Sequence, residues 1–556
     1  MLNRIRQWLL AHPRCTLILL AALMLGPFLA KPFNLDDPLF IWLAKQAQAH
    51  PENPFGFDVN WYGVWQPMWT VTENPPLAGY YFALAGSIFG WSEFGLHLAG
   101  LLAAVAVVLG TYQLAGHFCG KPMLAAVAVM CAPLFLVSAN TVMCDMVMLA
   151  FWVWAVVYWI DGVEQDRTVK IIAAGVLIAM AFLTKYTGLA LLPLLAVHGL
   201  MRKHRLGIWI AGLIIPLVVL GAYQAITLAL YGHPLVSAAV GYANSVQGEL
   251  GFSKLSASFI ALAFTGGGVV AGLFLAPWLW RPRTLTAIVF GTVILGGALC
   301  ASGLFMKKYP ALETPAMRMG ISAQLILWAA GGALVLALAA GDVWRNRRDA
   351  CSWLLALWVV GTLAFAALVN WTVNGRSLLP MVPAAGILLA RRWEAGGPRR
   401  PQALQFGLAA SGLLALLVAQ SDFQLAVVVR RSAEEACARC ARGQGTVWFE
   451  GHWGFQYYME KLGAKSVDFK HARQLPGDFL VLPAHNTDTY RPSPEIVAHG
   501  ETLNLPGPSL LTTWNAAAGA GFYASVVGPL PFGFGHVPSE TVYVYELRAA
   551  VPGIAK

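Results

Sequence analysis

Apolar runs long enough to cross a lipid bilayer recur along this chain from residue 16 to residue 420. The composition agrees with them: 58% of the 556 residues are hydrophobic, only 12% are charged and the mean hydropathy is +0.62. A soluble domain is much less apolar and carries about twice that share of charged residues. The sequence therefore predicts a polytopic α-helical membrane protein, located in the cell (inner) membrane.

The charges between the apolar runs predict the orientation. Lys and Arg cluster in short loops, as expected for cytoplasmic loops, so the net charge of +10 does not indicate a nucleic-acid partner. Arg4, Arg6 and Arg14 precede the first run, which predicts a cytoplasmic amino terminus. The later loops alternate in charge and place residues 421–556 outside, on the periplasmic face.

A cytoplasmic amino terminus and an outer carboxyl tail require an odd number of crossings. About fourteen runs qualify as helices, one of them over residues 255–279, so we expect about 13 transmembrane helices. The short run 77–90 suggests that region 77–138 holds one crossing fewer than its runs indicate. The alternative, a single helix over 169–200, would place Lys185 near the bilayer centre at a cost of about 3 kcal/mol.

The sequence pattern changes after the last apolar run. Residues 1–420 form the predicted transmembrane domain, and residues 421–556 a small C-terminal α/β domain on the outer face. Apparent strands lie at 446–451, 478–484 and 541–548, with the helix GFQYYMEKLGA after the first. Cys437 and Cys440 form a CxxC motif that we interpret as unpaired thiols, with a local disulfide or a zinc site as alternatives.

Residues 31–76 form a long outer loop rich in acids and aromatic residues. It carries Asp36, Asp37, Glu52, Asp58 and Glu73 together with Trp61, Tyr62, Trp65 and Trp69. This composition predicts the first outer catalytic loop. An interfacial loop anchored in lipid headgroups by its tryptophans is the alternative.

Local chemistry distinguishes the two adjacent acids of this loop. In DPLFIWLAKQAQA, Asp37 has the features of a helix cap, followed by Pro38 at the first helical position. Asp36 has no comparable structural role. We therefore interpret Asp36 as the candidate either for a general base or for polarising a substrate hydroxyl.

Further charged residues lie at the ends of apolar helices. Asp145 is a candidate because carboxylates within membrane helices are commonly functional; a helix-end acid bonded to Asn140 or Thr141 is the alternative. Lys185, Arg376 and the pair Lys307 and Lys308 are cations on the outer side, suited to a phosphate. Simple snorkelling of these side chains is the alternative.

The sequence contains no Walker loop, HExxH or GxSxG motif among its candidate sites. These absences disfavour nucleotide hydrolysis, zinc proteolysis and hydrolase-elbow chemistry.

Several motifs resemble those of one enzyme family. LDDPLFIWLAKQ is similar to the Asp-Glu or Asp-Asp element in the first outer loop of the GT-C membrane glycosyltransferases, in their protein O-mannosyltransferase-like and aminoarabinose-transferase-like branch (family 39 type). Four later stretches are also similar to this family: ENPPLAGYYFALAGSIFGWSEFGLHL, CAPLFLVSANTVMCDMVMLAFWVW, FLTKYTGLALLPLL and GRSLLPMVPAAGILLA. The order and spacing of these motifs make the resemblance fairly specific over about residues 30–200.

The resemblance implies a GT-C fold and an enzyme of cell-envelope glycosylation, acting on lipopolysaccharide or protein. Such an enzyme transfers a hexose or pentose from a polyprenyl-phosphate donor to a lipid, glycan or protein acceptor on the outer face of the bilayer. Asp36 matches the catalytic acid of the first loop and Asp145 the second acid, with Asp37 in the same motif.

This chain departs from the aminoarabinose transferases at two positions. Asn74 replaces a lysine before Pro-Pro, and Ser377 replaces a tyrosine before the Leu-Leu-Pro element. These departures weaken the case for an aminoarabinose substrate and increase the need for another phosphate-binding cation. The predicted substrate-binding residues are Asn74, Lys185, Tyr186, Lys308 and Arg376.

Two other functions remain open from the sequence: a transporter or flippase of lipid-linked sugars, and a non-catalytic scaffold that binds through its outer domain. We expect no essential cofactor or metal, because hard cations need more convergent oxygen ligands than can be assigned here. A divalent metal on the loop carboxylates is the alternative.

Overall fold

The computed structural model describes residues 7–9, 11–72, 74–203, 206–251, 253–303, 308–396, 401–441, 443–471 and 473–550. Arg4, Arg6, Glu73 and Lys307 lie outside these residues.

Helices form most of the described chain up to residue 440. Their bounds are α1 Pro13–Leu25, α2 Asp37–Ala49, α3 Met68–Val71, α4 Leu77–Phe89, α5 Glu93–Phe118, α6 Pro122–Met130, α7 Pro133–Ala139, α8 Cys144–Glu164, α9 Thr168–Thr184, α10 Leu191–Lys203, α11 Ala211–Tyr231, α12 Leu235–Leu250, α13 Lys254–Gly268, α14 Ala271–Phe274, α15 Ala276–Leu279, α16 Pro282–Ala301, α17 Pro315–Arg345, α18 Ala350–Ala364, α19 Gly375–Leu378, α20 Val382–Ala395, α21 Pro401–Cys440 and α22 Trp453–Lys461.

Seven helices of the described chain are long and apolar enough to cross a membrane. They are α5, α8, Ile208–Tyr231, α16, α17, Ala350–Val369 and α21. The pair α6 and α7, bent by 63°, gives an eighth, and Pro13–Phe28, α4 and α9 are shorter apolar helices. The predicted polytopic helical class is confirmed, whereas about thirteen crossings stays a prediction.

The predicted run 255–279 is not one helix. Helix α13 ends at Gly268 and is followed by the short helices α14 and α15. Glycine is a poor helix former, and Gly266 lies so close to the backbone of α17 at Trp328 that a larger residue would not fit. The prediction of one continuous helix was wrong. Gly266 allows close packing against α17, and the helix ends at Gly268.

The two ends of the helical bundle carry different contacts. At one end, basic residues of short loops form ion pairs: Arg202 with Glu164 (3.2 Å), Lys203 with Asp166 (2.7 Å) and Arg391 with Asp349 (3.4 Å). The other end carries the first loop and the C-terminal domain. If the basic end is cytoplasmic, as the loop charges predict, the C-terminal domain lies outside. This orientation stays a prediction.

Helix α4 lies along one end of the bundle. Asn74, just before α4, accepts a weak hydrogen bond from Cys144 at the start of α8 (3.6 Å). Glu93, at the start of α5, accepts a hydrogen bond from Tyr458 of the C-terminal domain (3.1 Å). Both ends of α4 are therefore at the same end of the bundle, which agrees with one crossing fewer in region 77–138.

The strands belong to the first loop and the C-terminal domain. Their bounds are β1 Asp58–Trp61, β2 Val64–Pro67, β3 Val447–Phe449, β4 Lys465–Ser466, β5 Phe479–Pro483, β6 Val497–Leu505, β7 Leu511–Thr512, β8 Trp514–Asn515, β9 Ala520–Gly521, β10 Gly533–Phe534 and β11 Glu540–Leu547.

A five-stranded sheet in the order β4-β3-β5-β11-β6 forms the centre of the C-terminal domain. β3 is parallel to β4 and β5, and β11 is antiparallel to β5 and β6. Helix α22 and the end of α21 pack on one face through Val428, Ala436, Phe455 and Met459. The three predicted strands and the helix between the first two are confirmed.

The C-terminal domain and the helical bundle share one core. Phe522 and Tyr523 are buried among the helices of the bundle. The Phe522 carbonyl accepts a hydrogen bond from Gly375 N (2.7 Å), and the Ser525 carbonyl accepts one from the Tyr309 hydroxyl (2.7 Å). The predicted boundary at residue 420 falls inside α21, which continues unbroken into the C-terminal domain.

Cys437 and Cys440 are free thiols in the last turn of α21. No disulfide links the two in the structure, and the zinc alternative stays a prediction.

A buried ion pair joins the first loop to the last membrane helix. Lys31 Nζ donates to Asp422 Oδ2 (2.5 Å) and to the Asn140 carbonyl (2.9 Å). Asp422 also accepts hydrogen bonds from the hydroxyls of Thr513 (2.6 Å) and Tyr523 (3.0 Å). The side chains of Lys31 and Asp422 are each 1% exposed, so the pair is shielded from water. It holds the first loop, the bundle and the C-terminal domain together.

Removing one member of this pair is expected to destabilise the protein strongly. Asp422→Ala leaves the Lys31 ammonium buried without its counter-charge, at a cost of about 3–5 kcal/mol in the free energy of unfolding. Thermal or denaturant unfolding of the purified protein in detergent measures the loss. The double variant Lys31→Met, Asp422→Leu removes both charges and should lose less than Asp422→Ala alone.

Arg431→Ala is the matched control on the same helix. Its pair with Glu435 is 53% and 44% exposed, so its removal should change the free energy of unfolding by no more than about 0.5 kcal/mol. Equal losses for Arg431→Ala and Asp422→Ala would contradict the role assigned to the buried pair.

Candidate active site

Four chain segments meet at the end of the bundle that carries the first loop. Asp36 directly precedes α2, Asp145 lies in the first turn of α8, Lys185 follows α9, and Arg376 lies in α19. The structure therefore brings together two acids and two cations that the sequence analysis selected separately.

Asp36 and Arg376 form one ion pair of this cluster. Arg376 Nη2 donates to Asp36 Oδ2 (3.0 Å), and Nη1 contacts Met143 Sδ (2.9 Å). The side chain of Asp36 is 30% exposed and that of Arg376 15% exposed, so both are accessible to a substrate. Burial lowers the pKa of Arg376, but the carboxylates of Asp36 and Asp145 outweigh this effect and raise it. The guanidinium stays charged.

Asp145 and Lys185 form the second ion pair. Lys185 Nζ donates to Asp145 Oδ1 (2.5 Å), with the Lys185 side chain 16% and the Asp145 side chain 1% exposed. The alternative for Asp145, a helix-end acid bonded to Asn140 or Thr141, is wrong, because its described hydrogen bond goes to Lys185. Lys185 likewise reaches a buried acid rather than simply extending to the interface.

Local sequence explains why these side chains lie at helix ends. Pro38 is in the first turn of α2, where its missing N–H costs no helical hydrogen bond. Lys185 is extended (φ −154°, ψ 133°) and ends α9. Asn374 caps α19 by accepting a hydrogen bond from Ser377 N (2.7 Å), which orders the turn that carries Arg376.

The assignment of Asp37 as a helix cap was wrong. Asp36 occupies the cap position, and its side chain makes no capping hydrogen bond. Asp37 is fully buried and accepts hydrogen bonds from Asn34 N (2.9 Å) and Val142 N (2.8 Å). Asp37 thus connects the first loop to the segment before α8. Sequence alone could not show this, because Val142 is distant in the chain.

Burial raises the pKa of Asp37 to about 7, although Lys31 and the two backbone N–H groups act to lower it. Burial, followed by the carboxylate of Asp422, raises the pKa of the Tyr523 hydroxyl well above its usual value. Tyr523 therefore remains a neutral donor to Asp422 beneath the cluster.

The other predicted substrate-binding residues occupy different positions. Asn74 accepts a weak hydrogen bond from Cys144, the neighbour of Asp145. The Tyr186 hydroxyl lies 3.2 Å from that of Tyr223 on α11. Lys308 is exposed and donates to the Leu250 carbonyl at the end of α12 (3.0 Å). Asn74 thus borders the cluster, and the roles of Tyr186 and Lys308 stay predictions.

Lys31, Asp422 and Tyr523 support the site but were not among the predicted residues. Arg376 also lies over the ring of Tyr523, with 5.8 Å from Cζ to the ring centroid. A sequence signal existed for Asp422, because it is an acid close to the end of a long apolar run.

The first loop packs against the C-terminal domain. Trp61 is 2% exposed and lies against Trp42 and His452, with centroid distances of 6.1 and 4.7 Å. Trp65 is 55% exposed. Trp61 is therefore structural, while Trp65 remains suited to the membrane interface.

Among the described residues, no three His, Cys, Asp or Glu side chains are grouped as ligands for a metal ion. The absence of an essential metal stays a prediction.

The match to a known protein family agrees with the resemblance of the motifs. A family model described as dolichyl-phosphate-mannose-protein mannosyltransferase matches residues 73–229, which include Asn74, Asp145 and Lys185. The matched part is less than half of the chain. No curated protein matches the sequence. The family match confirms the predicted resemblance to the GT-C membrane glycosyltransferases.

Three solved structures are similar at low identity. AglB, an archaeal oligosaccharyltransferase from Archaeoglobus fulgidus in complex with an inhibitory peptide and a dolichol-phosphate, is 14% identical (TM-score 0.45; 83% of this chain and 65% of its own). ArnT from Cupriavidus metallidurans bound to undecaprenyl phosphate is 13% identical (0.43; 84% and 93%). The arabinofuranosyltransferase AftD from Mycobacteria is 16% identical (0.38; 99% and 40%). This chain therefore spans less than two thirds of the AglB chain.

Substituting Asp37 tests its structural role. In Asp37→Asn, the amide NH₂ would replace a carboxylate oxygen and face a buried backbone N–H, which leaves a donor unsatisfied. We expect a loss of about 1–3 kcal/mol in the free energy of unfolding, measured by thermal unfolding in detergent. The partly exposed Asp36→Asn should lose less stability. The opposite order would contradict the assignment.

Proposed function

We propose that the protein is a glycosyltransferase that moves a hexose or pentose from a polyprenyl-phosphate donor to a lipid, glycan or protein acceptor. The family match supports this proposal, because the family is named for a donor of this chemical class. The reaction class also suits a site at the end of a membrane bundle, where a lipid phosphate and a polar acceptor can both reach it.

The observation that carries the proposal is the cluster of two acids and two cations. Asp36 pairs with Arg376, and Asp145 pairs with Lys185, where four segments of the chain meet. Transfer from a lipid phosphate needs a base for the acceptor and positive charge for the departing phosphate. Both requirements are met within this one cluster.

In the proposed reaction, Asp36 accepts the proton and Lys185 and Arg376 stabilise the leaving group. The acceptor O–H donates its proton to the carboxylate of Asp36 as its oxygen attacks the anomeric carbon of the donor. The new glycosidic bond forms while the bond from the anomeric carbon to the phosphate oxygen breaks. The polyprenyl phosphate leaves with the electron pair, and Lys185 and Arg376 stabilise its negative charge.

The cluster retains hydrogen-bonding capacity for a substrate. Arg376 Nε and Asp145 Oδ2 are buried and lack hydrogen-bond partners among the described residues. A phosphate oxygen would accept from Arg376 Nε, and a sugar hydroxyl would donate to Asp145 Oδ2. In this proposal, Asp145 also holds Lys185 in place.

We further propose that the site and the C-terminal domain lie on the extracytoplasmic face of the inner membrane. The opposite end of the bundle carries the short basic loops with Arg202, Lys203 and Arg391. Basic loops favour the cytoplasmic side.

Asp36→Asn tests the proposed base. Removing a general base lowers the rate by about 10²- to 10⁴-fold, so transfer from radiolabelled undecaprenyl-phosphate sugars to a mixture of acceptors should fall by that factor. Asp58→Asn, an exposed acid in the same loop, is the matched control and should retain transfer. Wild-type turnover that Asp36→Asn leaves unchanged would refute the assignment. No turnover with any donor would favour a transporter or flippase.

Lys185→Gln tests the phosphate site. The loss of charge-assisted hydrogen bonds should weaken binding of undecaprenyl phosphate about 10- to 100-fold, measured by fluorescence titration with a labelled lipid. The double variant Lys185→Gln, Asp145→Asn leaves no unpaired buried charge and should bind equally weakly.

Lys170→Gln is the control for phosphate binding. Lys170 forms a comparable ion pair with Asp161 (2.6 Å) at the opposite end of the bundle. This variant should bind the lipid phosphate as wild type does; a similar loss in both variants would remove the assignment of Lys185.

A further inference from the structure

A cavity separate from the cluster of acids and cations lies between the first loop, helix α21 and the C-terminal domain. Its empty volume is about 690 Å³, part of it open to solvent. Asn34 and Leu35 contribute one wall, Ser432 of α21 another, and Trp453 and Trp514 the aromatic side. Neither the proposed base nor the cations of the cluster line it.

Two buried polar groups in the wall have no protein partner. The Asn34 side-chain NH₂ and the Ser432 hydroxyl lack hydrogen bonds among the described residues, and these residues are 4% and 1% exposed. Buried polar groups without partners are unfavourable and uncommon in folded proteins. Both residues line the cavity, so a small rotation of either side chain would let its polar group bond a polar ligand.

Two of the five described non-glycine residues with a left-handed backbone line this cavity. Leu35 (φ 47°) and Trp453 (φ 65°) are non-glycine residues in the left-handed region. Such conformations persist where the surrounding structure enforces them, and they occur frequently at ligand sites. The strained turn at Trp453 sets its ring edge-to-face with Trp514, at 5.6 Å between centroids.

The lining is largely apolar with a few polar groups, which favours an uncharged ligand that has both apolar and polar faces. No lysine or arginine occurs among the described residues that line the cavity, so the wall offers no strong cation for a phosphate. The imidazole of His485 lies 3.0 Å from the carboxylate of Glu540, which offsets its charge. Tryptophan rings beside amide and hydroxyl groups match the apolar faces and the hydroxyl groups of a sugar ring.

We propose that this cavity binds a sugar of the acceptor. The inference rests on the proposed glycosyltransferase function and assigns the two substrates to different places: the lipid phosphate to Lys185 and Arg376, and the acceptor glycan to the cavity. The two places are adjacent, because Asn34 and Leu35 directly precede Asp36 and the ring of Trp514 lies 6.1 Å from that of Tyr523.

Saturation-transfer NMR of the full-length protein in nanodiscs tests binding without turnover. The probes are the methyl glycosides of glucose, galactose, mannose and N-acetylglucosamine. At least one should bind saturably to wild type, and inorganic phosphate should not compete. Ser432→Ala should weaken this binding about two- to tenfold, the effect of losing one hydrogen bond, without lowering the unfolding temperature. Asn34→Ala should act in the same direction.

Ser411→Ala is the matched control, since this buried serine of α21 bonds within its own helix to Gly407. It should bind the glycosides as wild type does. Val429→Trp should fill the cavity and abolish glycoside binding while leaving binding of undecaprenyl phosphate intact.

Glycoside binding that survives both Val429→Trp and Ser432→Ala would overturn the proposal. Saturable binding of a serine- and threonine-containing peptide in place of every glycoside would also overturn it. If Asp36→Asn leaves sugar transfer unchanged while the glycoside-binding results are as expected, the catalytic assignment is refuted and the sugar site is retained.

Discussion

The structure depends on one requirement, that a charge buried inside the protein must have a counter-charge. Three acids meet it through a cation from another segment: Asp422 through Lys31, Asp36 through Arg376 and Asp145 through Lys185. An unpaired buried charge is costly, so each pair strongly favours one arrangement of its two segments. Together the pairs set the position of the first loop relative to the bundle and the C-terminal domain.

The adjacent acids Asp36 and Asp37 show how burial separates residues of the same type. Asp37 is enclosed and bound to two backbone N–H groups, whereas Asp36 remains partly exposed beside Arg376. Buried Asp37 thus orders the loop that carries the accessible Asp36. Leu35, with a left-handed backbone, and Pro38, in the first turn of α2, flank the doublet.

Much of this arrangement was predictable from sequence, for reasons that are local. Apolar runs predict membrane helices, short runs rich in Val, Tyr, Phe and Leu predict strands such as β5 and β11, and charged residues at the ends of apolar runs predicted Asp145, Lys185 and Arg376. Local sequence patterns could not predict which distant residue each of these side chains contacts. The contact of Asp37 with Val142 and the pairing of Lys31 with Asp422 depend on segments distant in the chain. The break of the predicted run at Gly268 likewise depends on packing against α17.

The pairing of Lys31 with Asp422 also sets the order in which the protein can mature. The two residues are separated by 391 positions, and the hydroxyls that complete the shell around Asp422 come from Thr513 and Tyr523, later still. At a translation rate of about 5–20 residues per second, roughly 20–80 s pass between the synthesis of Lys31 and that of Asp422. Throughout that interval the nascent chain carries a first loop that lacks its anchor. The buried contacts that support the proposed catalytic centre are thus complete only after the chain has been synthesised as far as Tyr523.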